Sequence, residues 1–201
     1  MKTTDLKRLA SGADGRSAVA AASLPDLATS ADLLDIAVGT VASPIGDLIV
    51  AVTPRGLARV AFDDEDLDQV ARELASALSP RVLESARATD QVRRELGEYF
   101  DRRRTRFDVA VDRRLIHGIA RDVLAQTSRV PFGRTSTYGE IAGRIGRPRA
   151  ARAVGNALGS NPIPIVIPCH RVLRTGGALG GYGGGVDRKE TLLALEGAIL
   201  A

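Results

Sequence analysis

Asn161-Pro162-Ile163-Pro164-Ile165-Val166-Ile167-Pro168-Cys169-His170-Arg171-Val172 is the stretch on which the reading of this 201-residue chain turns. Ile163 to Ile167 is an apolar run bracketed by prolines, so it is expected as a buried extended segment that carries Cys169 to its end. A buried cysteine is usually a small hydrophobe. Here His170 and Arg171 follow at once, and no core-filling role explains them. Positive charge beside a thiol lowers its pKa and raises the thiolate fraction, and a thiolate is the side chain best suited to attacking a saturated carbon. Cys169 is the only cysteine and His117 and His170 are the only histidines. An intrachain disulfide is therefore excluded, a reducing, cytoplasmic compartment fits, and structural zinc, which takes four ligands, is not expected. A protease-like pairing of Cys169 with His117 is possible by residue type, with nothing else to support it.

Downstream, seven of the ten residues from Gly176 to Gly185 are glycine, with Tyr182 among them. Such a run suits a flexible linker, or a loop whose backbone must approach a ligand closely. Tyr182 offers a flat face for stacking on a base. No strand-to-helix transition fits a nucleotide-binding glycine motif. Asp187 to Leu195 reads as a closing helix that ends near Glu196. Upstream, Ile119, Val123 and Leu124 form the apolar stripe of a helix ending before Pro131. Thr137-Tyr138-Gly139-Glu140 is a capping box that opens a helix to Ile145, with Gly146 as its stop. Pro148 suits the first turn of a second helix, Arg149 to about Leu158, ending at Gly159. Two short helices joined by a tight glycine turn make a helix-turn-helix, although an ordinary helical hairpin has the same spacing.

Nearer the N-terminus, Ile36 to Val41, Leu48 to Val52 and Leu57 to Phe62 are strand-like runs split by Pro/Gly turns, an antiparallel meander. Leu67 to Leu78 and Ala88 to Phe100 read as amphipathic helices, the second with Leu96, Tyr99 and Phe100 on one face. Phe107 to Val111 is a candidate further strand. Residues 1–32 lack an apolar period and are expected to be a disordered extension. They hold no long apolar stretch, so neither a signal peptide nor a membrane span is expected. The division is then an extension at 1–32, an α+β domain at 33–112 and a mainly helical domain at 113–201.

Charge follows that division. Residues 113–201 hold 13 Arg and Lys against 5 Asp and Glu, whereas residues 1–112 hold 15 against 19. A basic, Arg-rich half suits a polyanion, though a solvated basic surface would show the same excess. Aromatics make up only 3% of the chain, so the core must rest on aliphatic residues.

Pro168-Cys169-His170-Arg171-Val172, with the Asn161–Ile165 segment before it, resembles the active-site signature of the O6-alkylguanine-DNA alkyltransferases, also called methylated-DNA–protein-cysteine methyltransferases. The likeness is strong over about 119–197, where helix-turn-helix, nucleophile and glycine loop follow in the expected order. It is weaker over 36–62, where Ser43-Pro44-Ile45-Gly46 is similar to the family's N-terminal hairpin. The resemblance implies an α+β protein: a small N-terminal α/β domain of ribonuclease H-like type and a mainly helical C-terminal domain with a helix-turn-helix.

It also implies an activity, the irreversible transfer of the alkyl group of O6-alkylguanine, and of O4-alkylthymine, in DNA to Cys169, one group per molecule. His170 would act as base through a water, oriented by Glu196. Asn161 would pack the turn into the active site. Tyr138 would turn the target phosphate and then donate to the departing guanine. Arg152 would fill the gap left by the flipped base, whose extrusion costs a few kcal/mol. Gly139, Arg147, Arg149, Ala151, Gly155, Arg171 and Thr175 would complete the DNA contact. Pro164, Tyr182, Gly183 and Gly184 would line the pocket, whose wall at the glycines is expected to be backbone alone, and Lys189 would hold the glycine loop. The implied partner is double-stranded DNA bound by a monomer, without cofactor, metal or membrane. Ile119 and Leu124 stand where the family usually has a Phe and a Trp, and the zinc ligands and cysteine-rich sensor of some relatives are absent. A non-enzymatic lesion-binding relative is the alternative, which Cys169 and Glu196 disfavour. A helix-turn-helix regulator leaves Pro-Cys-His-Arg unexplained.

Overall fold

The structure is a computed structural model that describes residues 35–199. The expected extension at 1–32 lies outside the described residues. Strands β1 (Ile36–Val41), β2 (Leu48–Thr53) and β3 (Gly56–Phe62) form the antiparallel meander that the turn residues specify. A short β4 (Val82–Glu84), not foreseen, pairs parallel to β1 and gives the order β3-β2-β1-β4. Residues alternate in side along a strand, so the sheet feeds two cores. On one side Leu48, Val50, Leu57 and Val60 pack with Val92, Leu96 and Tyr99; on the other Ile36, Ala51 and Ala61 pack with Val70 and Leu74.

Helix α1 (Leu67–Ala77) covers the second side, started by the Asp66 carboxylate, which accepts from the Asp68 and Gln69 amides. Helix α2 (Ala86–Phe100) covers the first, with Ser85 as its N-cap. Gly39 lets α2 sit close on β1, because a Cβ there would come 2.5 Å from Thr89 Oγ1.

The second half contains α3 (Ile119–Thr127), a two-residue β5 (Ser136–Thr137), α4 (Tyr138–Arg144), α5 (Ala151–Gly159), a 3-10 turn at Cys169–Arg171, β6 (Val172–Leu173) and α6 (Val186–Leu195). Strands β5 and β6 pair in parallel. The capping box at Thr137 and Glu140 forms as expected. Gly146, at φ 71°, closes α4 with paired bonds from Gly146 N to Gly143 O and from Arg147 N to Ala142 O, both 2.9 Å, the glycine-terminated ending foreseen from its position. One apolar cluster runs from Leu48 and Phe62 in the sheet to Leu124, Ile141, Val154, Ile163, Ile165 and Ile167, so the halves share a core. Among the described residues no helix is long and apolar enough to cross a membrane.

Three sequence expectations are corrected. Phe107 to Val111 is not a strand: only Val111 bridges Leu57. The Glu95 carboxylate takes the Asp108 and Val109 amides at 2.8 and 3.3 Å, so a side chain satisfies donors that a ladder would otherwise need. Helix α5 starts at Ala151 rather than Arg149, because Arg147 to Ala150 closes a turn of its own (2.9 Å) with Pro148 at its second position, where its fixed φ fits. Ile163 to Ile167 is buried as expected but not extended. The Ile167 amide bonds back to Ile163 O at 2.9 Å, and Ile165 sits at φ 73°.

Candidate active site and nucleic-acid interface

The curled segment delivers Cys169. A β-branched residue in the left-handed region is strained by about 1–3 kcal/mol, and complete burial of Ile163 and Ile165 holds it there. Asn161 locks the curl from inside. Its Nδ2 donates to Ile167 O at 2.9 Å and to Cys169 Sγ at 3.1 Å, while its Oδ1 accepts from the Ile163 amide at 3.1 Å.

Cys169 is 5% exposed. Burial pushes its thiol up to about 11, against the pull of the Asn161 donor and of Lys189. This overturns the expectation that flanking cations lower it. The neighbouring cations are not available to the sulfur: His170 is held below its ordinary range by burial, and Arg171 turns away to Glu196. The resting group is a thiol, and it needs a base.

Behind it lies a buried polar cluster centred on Glu196, the residue after α6. Its Oε1 accepts from Tyr99 Oη (2.7 Å), Arg171 Nη2 (2.8 Å) and His170 Nε2 (2.9 Å), and its Oε2 from Arg171 Nε (2.8 Å) and Gly133 N (3.3 Å). Burial alone would raise this carboxyl; the bonds from His170 and Arg171 instead bring it down to about 2. An ionised carboxylate only accepts, so His170 carries its proton on Nε2. That leaves a lone pair on Nδ1, which is buried without a protein partner.

Arg171 was expected at the DNA. It is 5% exposed, and besides Glu196 it donates to Val130 O at 2.7 Å. Its guanidinium is thus spent inside the protein, a correction that follows from burial. Tyr99, placed by sequence only on the apolar face of α2, was missed as part of this cluster. The available signal was its hydroxyl, since a tyrosine in a core needs a partner.

In front of Cys169 is the glycine loop. Fully buried Lys189 donates to Val172 O (2.7 Å), to Leu179 O and to Gly181 O (3.5 Å); burial lowers it to about 8. It holds the loop as the resemblance implied. Tyr182 stands edge-on to His170 and to Phe62.

At Gly184 the loop stands close against the Phe62 ring. A Cβ there would point at the Phe62 ring, 2.5 Å from Cε2, and at Gly183 it would lie 3.3 Å from Gly159 O. Arg188, also missed by the sequence reading, stacks 4.8 Å over Phe62 and grips Asp63 (2.6 Å), Asp64 (2.8 Å), Ile45 O (2.8 Å) and Gly184 O (3.0 Å). Its acidic partners are remote in sequence, so only folding brings them to it.

Two depressions open onto Cys169. One lies along the recognition side, where Tyr138, Ala151, Arg152, Gly155, Arg174 and Tyr182 meet the sulfur in a space of about 530 Å³. Arg152 is exposed on α5, and Tyr138, half-buried, reaches toward Gly181 O at 3.5 Å. Gly155 faces the Tyr138 ring, 3.7 Å from where its Cβ would be. Gly139, Arg147, Arg149 and Thr175 are exposed but do not line that space. The other depression, about 780 Å³, runs between the halves past Pro164, Phe62 and α1.

The parts define a class: an α+β protein in which a helix-turn-helix stands beside a buried cysteine backed by a His–Glu pair. Comparison with known proteins takes this further. Residues 118–198 match the family model for the 6-O-methylguanine DNA methyltransferase DNA-binding domain, and 36–113 match the one for its ribonuclease-like domain. The chain is 45% identical to a methylated-DNA–protein-cysteine methyltransferase of Mycolicibacterium paratuberculosis over 78% of its own length and 90% of the relative's. A Mycobacterium bovis protein of the same name is 43% identical with the same coverage. Among solved structures it resembles Mycobacterium tuberculosis OGT in complex with DNA, with TM-score 0.69 and 36% identity over 82% of this chain and 94% of that one. The chain belongs to the methylated-DNA–protein-cysteine methyltransferase family.

Proposed function

We propose that Cys169 is the alkyl acceptor of a DNA-repair methyltransferase and that its substrate is O6-alkylguanine, with O4-alkylthymine as a second, in duplex DNA. The protein acts on DNA and transfers the alkyl group to its own cysteine, as family membership dictates. The observation that carries the assignment is the buried chain behind the thiol: Glu196 fixes the His170 proton on Nε2 and leaves Nδ1 open toward a water-borne proton from Cys169.

Each proposed role follows from placement. His170 takes the thiol proton, and the Glu196 carboxylate stabilises the imidazolium that results. The sulfur attacks the alkyl carbon, and the C–O6 electron pair leaves on guanine, to which Tyr138 gives a proton; the imidazolium then returns its proton through solvent to the Tyr138 phenolate, so that in net terms the thiol proton passes to guanine. Arg152 fills the stack, while Gly139, Arg147, Arg149, Ala151, Gly155 and Thr175 meet the backbone. Contacts of that kind weaken as salt rises. Pro164, Tyr182, Gly183 and Gly184 surround the alkyl group. The acting species in this reading is a monomer working in the cytoplasm.

The test is incubation with a duplex carrying O6-methylguanine, followed by intact mass. A gain of about 14 Da on the peptide holding Cys169, one methyl replacing a proton, is expected. Modification elsewhere, or release of more than one methyl per molecule, would overturn the assignment.

A further inference from the structure

As proton donor to the departing guanine, Tyr138 must itself become an anion. Its phenol is half-buried in the depression beside Cys169. Burial raises it above its ordinary range, and negative charge on the neighbouring sulfur adds to that. A phenol that is hard to ionise is a poor acid, so its work calls for positive charge close by.

Arg174 stands at that place. It lines the same depression as Tyr138 and Cys169. Gly180 marks how near it comes: a Cβ there would lie 2.8 Å from Tyr138 Oη and 3.4 Å from Arg174 Cγ. With glycine at this position, φ 68°, the phenol and the arginine stem meet around one empty point. The Arg174 backbone is fixed in a turn. Its amide donates to Ala178 O at 2.8 Å, and its carbonyl accepts from the Gly177 amide at 3.0 Å. Among the described residues no carboxylate pairs with the Arg174 guanidinium, whereas Arg104, Arg114, Arg171 and Arg188 are all held by acids. Arg152, the other arginine of the depression, has the stack to fill. The charge of Arg174 draws the Tyr138 phenol down, against the effect of burial.

We infer that Arg174 is a positioning residue for the proton transfer to guanine, its guanidinium stabilising the phenolate that Tyr138 becomes. The inference rests on the reading of Cys169 as acceptor and Tyr138 as donor. The S–C bond forms and the C–O6 bond breaks with its electron pair on guanine. The Tyr138 proton goes to guanine, and the phenolate waits beside Arg174 until the proton taken by His170 returns through solvent. A fixed cation placed where charge develops lowers the barrier without having to reorganise. An exposed guanidinium without an acid partner keeps its full charge for that task.

The experiment follows single-turnover methyl transfer by intact mass, at saturating duplex carrying O6-methylguanine. Arg174→Gln is expected to slow transfer about tenfold, within the coupling range of neighbouring groups, and Arg174→Lys to recover part of the loss. In a Tyr138→Phe background no phenolate forms, and adding Arg174→Gln is expected to change the rate less than about twofold. Loss of a general acid costs about 10²–10⁴, so these variants are followed over hours. Methyl iodide gives the second measurement, because iodide leaves without a proton. Its alkylation of Cys169 is expected to be equal in the parent and in Arg174→Gln. A loss that persists undiminished in Tyr138→Phe overturns the inference. So does equal slowing toward methyl iodide, which would mean a disturbed thiol. An unchanged saturated rate with weaker DNA binding overturns it too, as the mark of a plain phosphate contact. A Tyr138→Phe variant as fast as the parent removes the donor, and a parent that takes no methyl from the duplex overturns the acceptor reading beneath.

Discussion

The two sides of Cys169 are built on opposite plans. Behind it, every oxygen lone pair of Glu196 that matters is taken, by Tyr99, His170, Arg171 and Gly133, and nothing there is exposed beyond 5% apart from Gly133 itself, which contributes backbone. In front, the walls are glycine, one lysine-held loop, the Tyr182 ring and the Phe62 ring contributed by the other half. The difference teaches where rigidity is needed. A proton path works only if the tautomer of His170 is fixed, and a buried, saturated carboxylate fixes it. The front side of the sulfur offers space rather than bonds.

The largest effect is expected where the sides meet. Cys169→Ala should give no mass gain from methylated duplex; any residual transfer would remove the distinction between a nucleophile and its setting. Next comes the rear. Glu196→Gln strips Arg171 of its counter-charge in a buried place, and breaking such a pair costs about 3–5 kcal/mol. Urea unfolding should show that loss, and a wild-type midpoint would mean that the rear cluster is not rigid.

Tyr99→Phe removes one bond to a charged group, worth about 1.5–3 kcal/mol. The variant should unfold earlier in urea and should still accept methyl, since His170 keeps Glu196.

The rear also sets a pH profile. His170 is held by burial below its ordinary 6.5, and Cys169 is pushed by burial up to about 11. Between them the thiol and the neutral imidazole coexist, so methyl transfer should be flat from pH 6.5 to about 8, where Lys189, which holds the loop, begins to lose its proton. A rate that climbs with ordinary thiol ionisation at 9.0 would show that the relay is bypassed. Stability has its own window. The Glu196 carboxyl is lowered from 4.5 to about 2, so its contribution is complete above 4.5 and is lost as pH falls toward about 2.

The smallest effects separate two glycines of the front. Gly184→Ala must move the Phe62 ring and should cost about 1–3 kcal/mol, as overpacking does. Gly181→Ala meets nothing within 4 Å and should leave the urea midpoint in place. Equal losses at both would mean that loop flexibility, not the contact with Phe62, explains the glycine at 184.

Much of this was legible because it is local. Alternation along β1 to β3, the capping box at Thr137 and the stop at Gly146 are written in neighbours, and so these elements formed within a residue or two of expectation. The juxtaposition of Cys169 with His170 and a distant Glu196 came from resemblance, and the fold brings the last two within 2.9 Å. Elements whose backbone hydrogen bonds go to side chains rather than to a ladder were misread. Phe107 to Val111 lost its ladder to Glu95, and the Ile163–Ile167 run curled because Asn161 holds it from within.

The sequence by itself determined the β1–β3 meander, the six helices, the family and the residue proposed as nucleophile, since each rests on residue types at short spacing. Only the tertiary structure decided the protonation state of that nucleophile, the inward turn of Arg171 and the entry of Tyr99 and Phe62 into the site. The physical reason is common to all of them. Desolvation and the pairing of buried charges depend on which surfaces meet, and residues 97 apart in the chain, Tyr99 and Glu196, become hydrogen-bonded neighbours only when the two halves share one core.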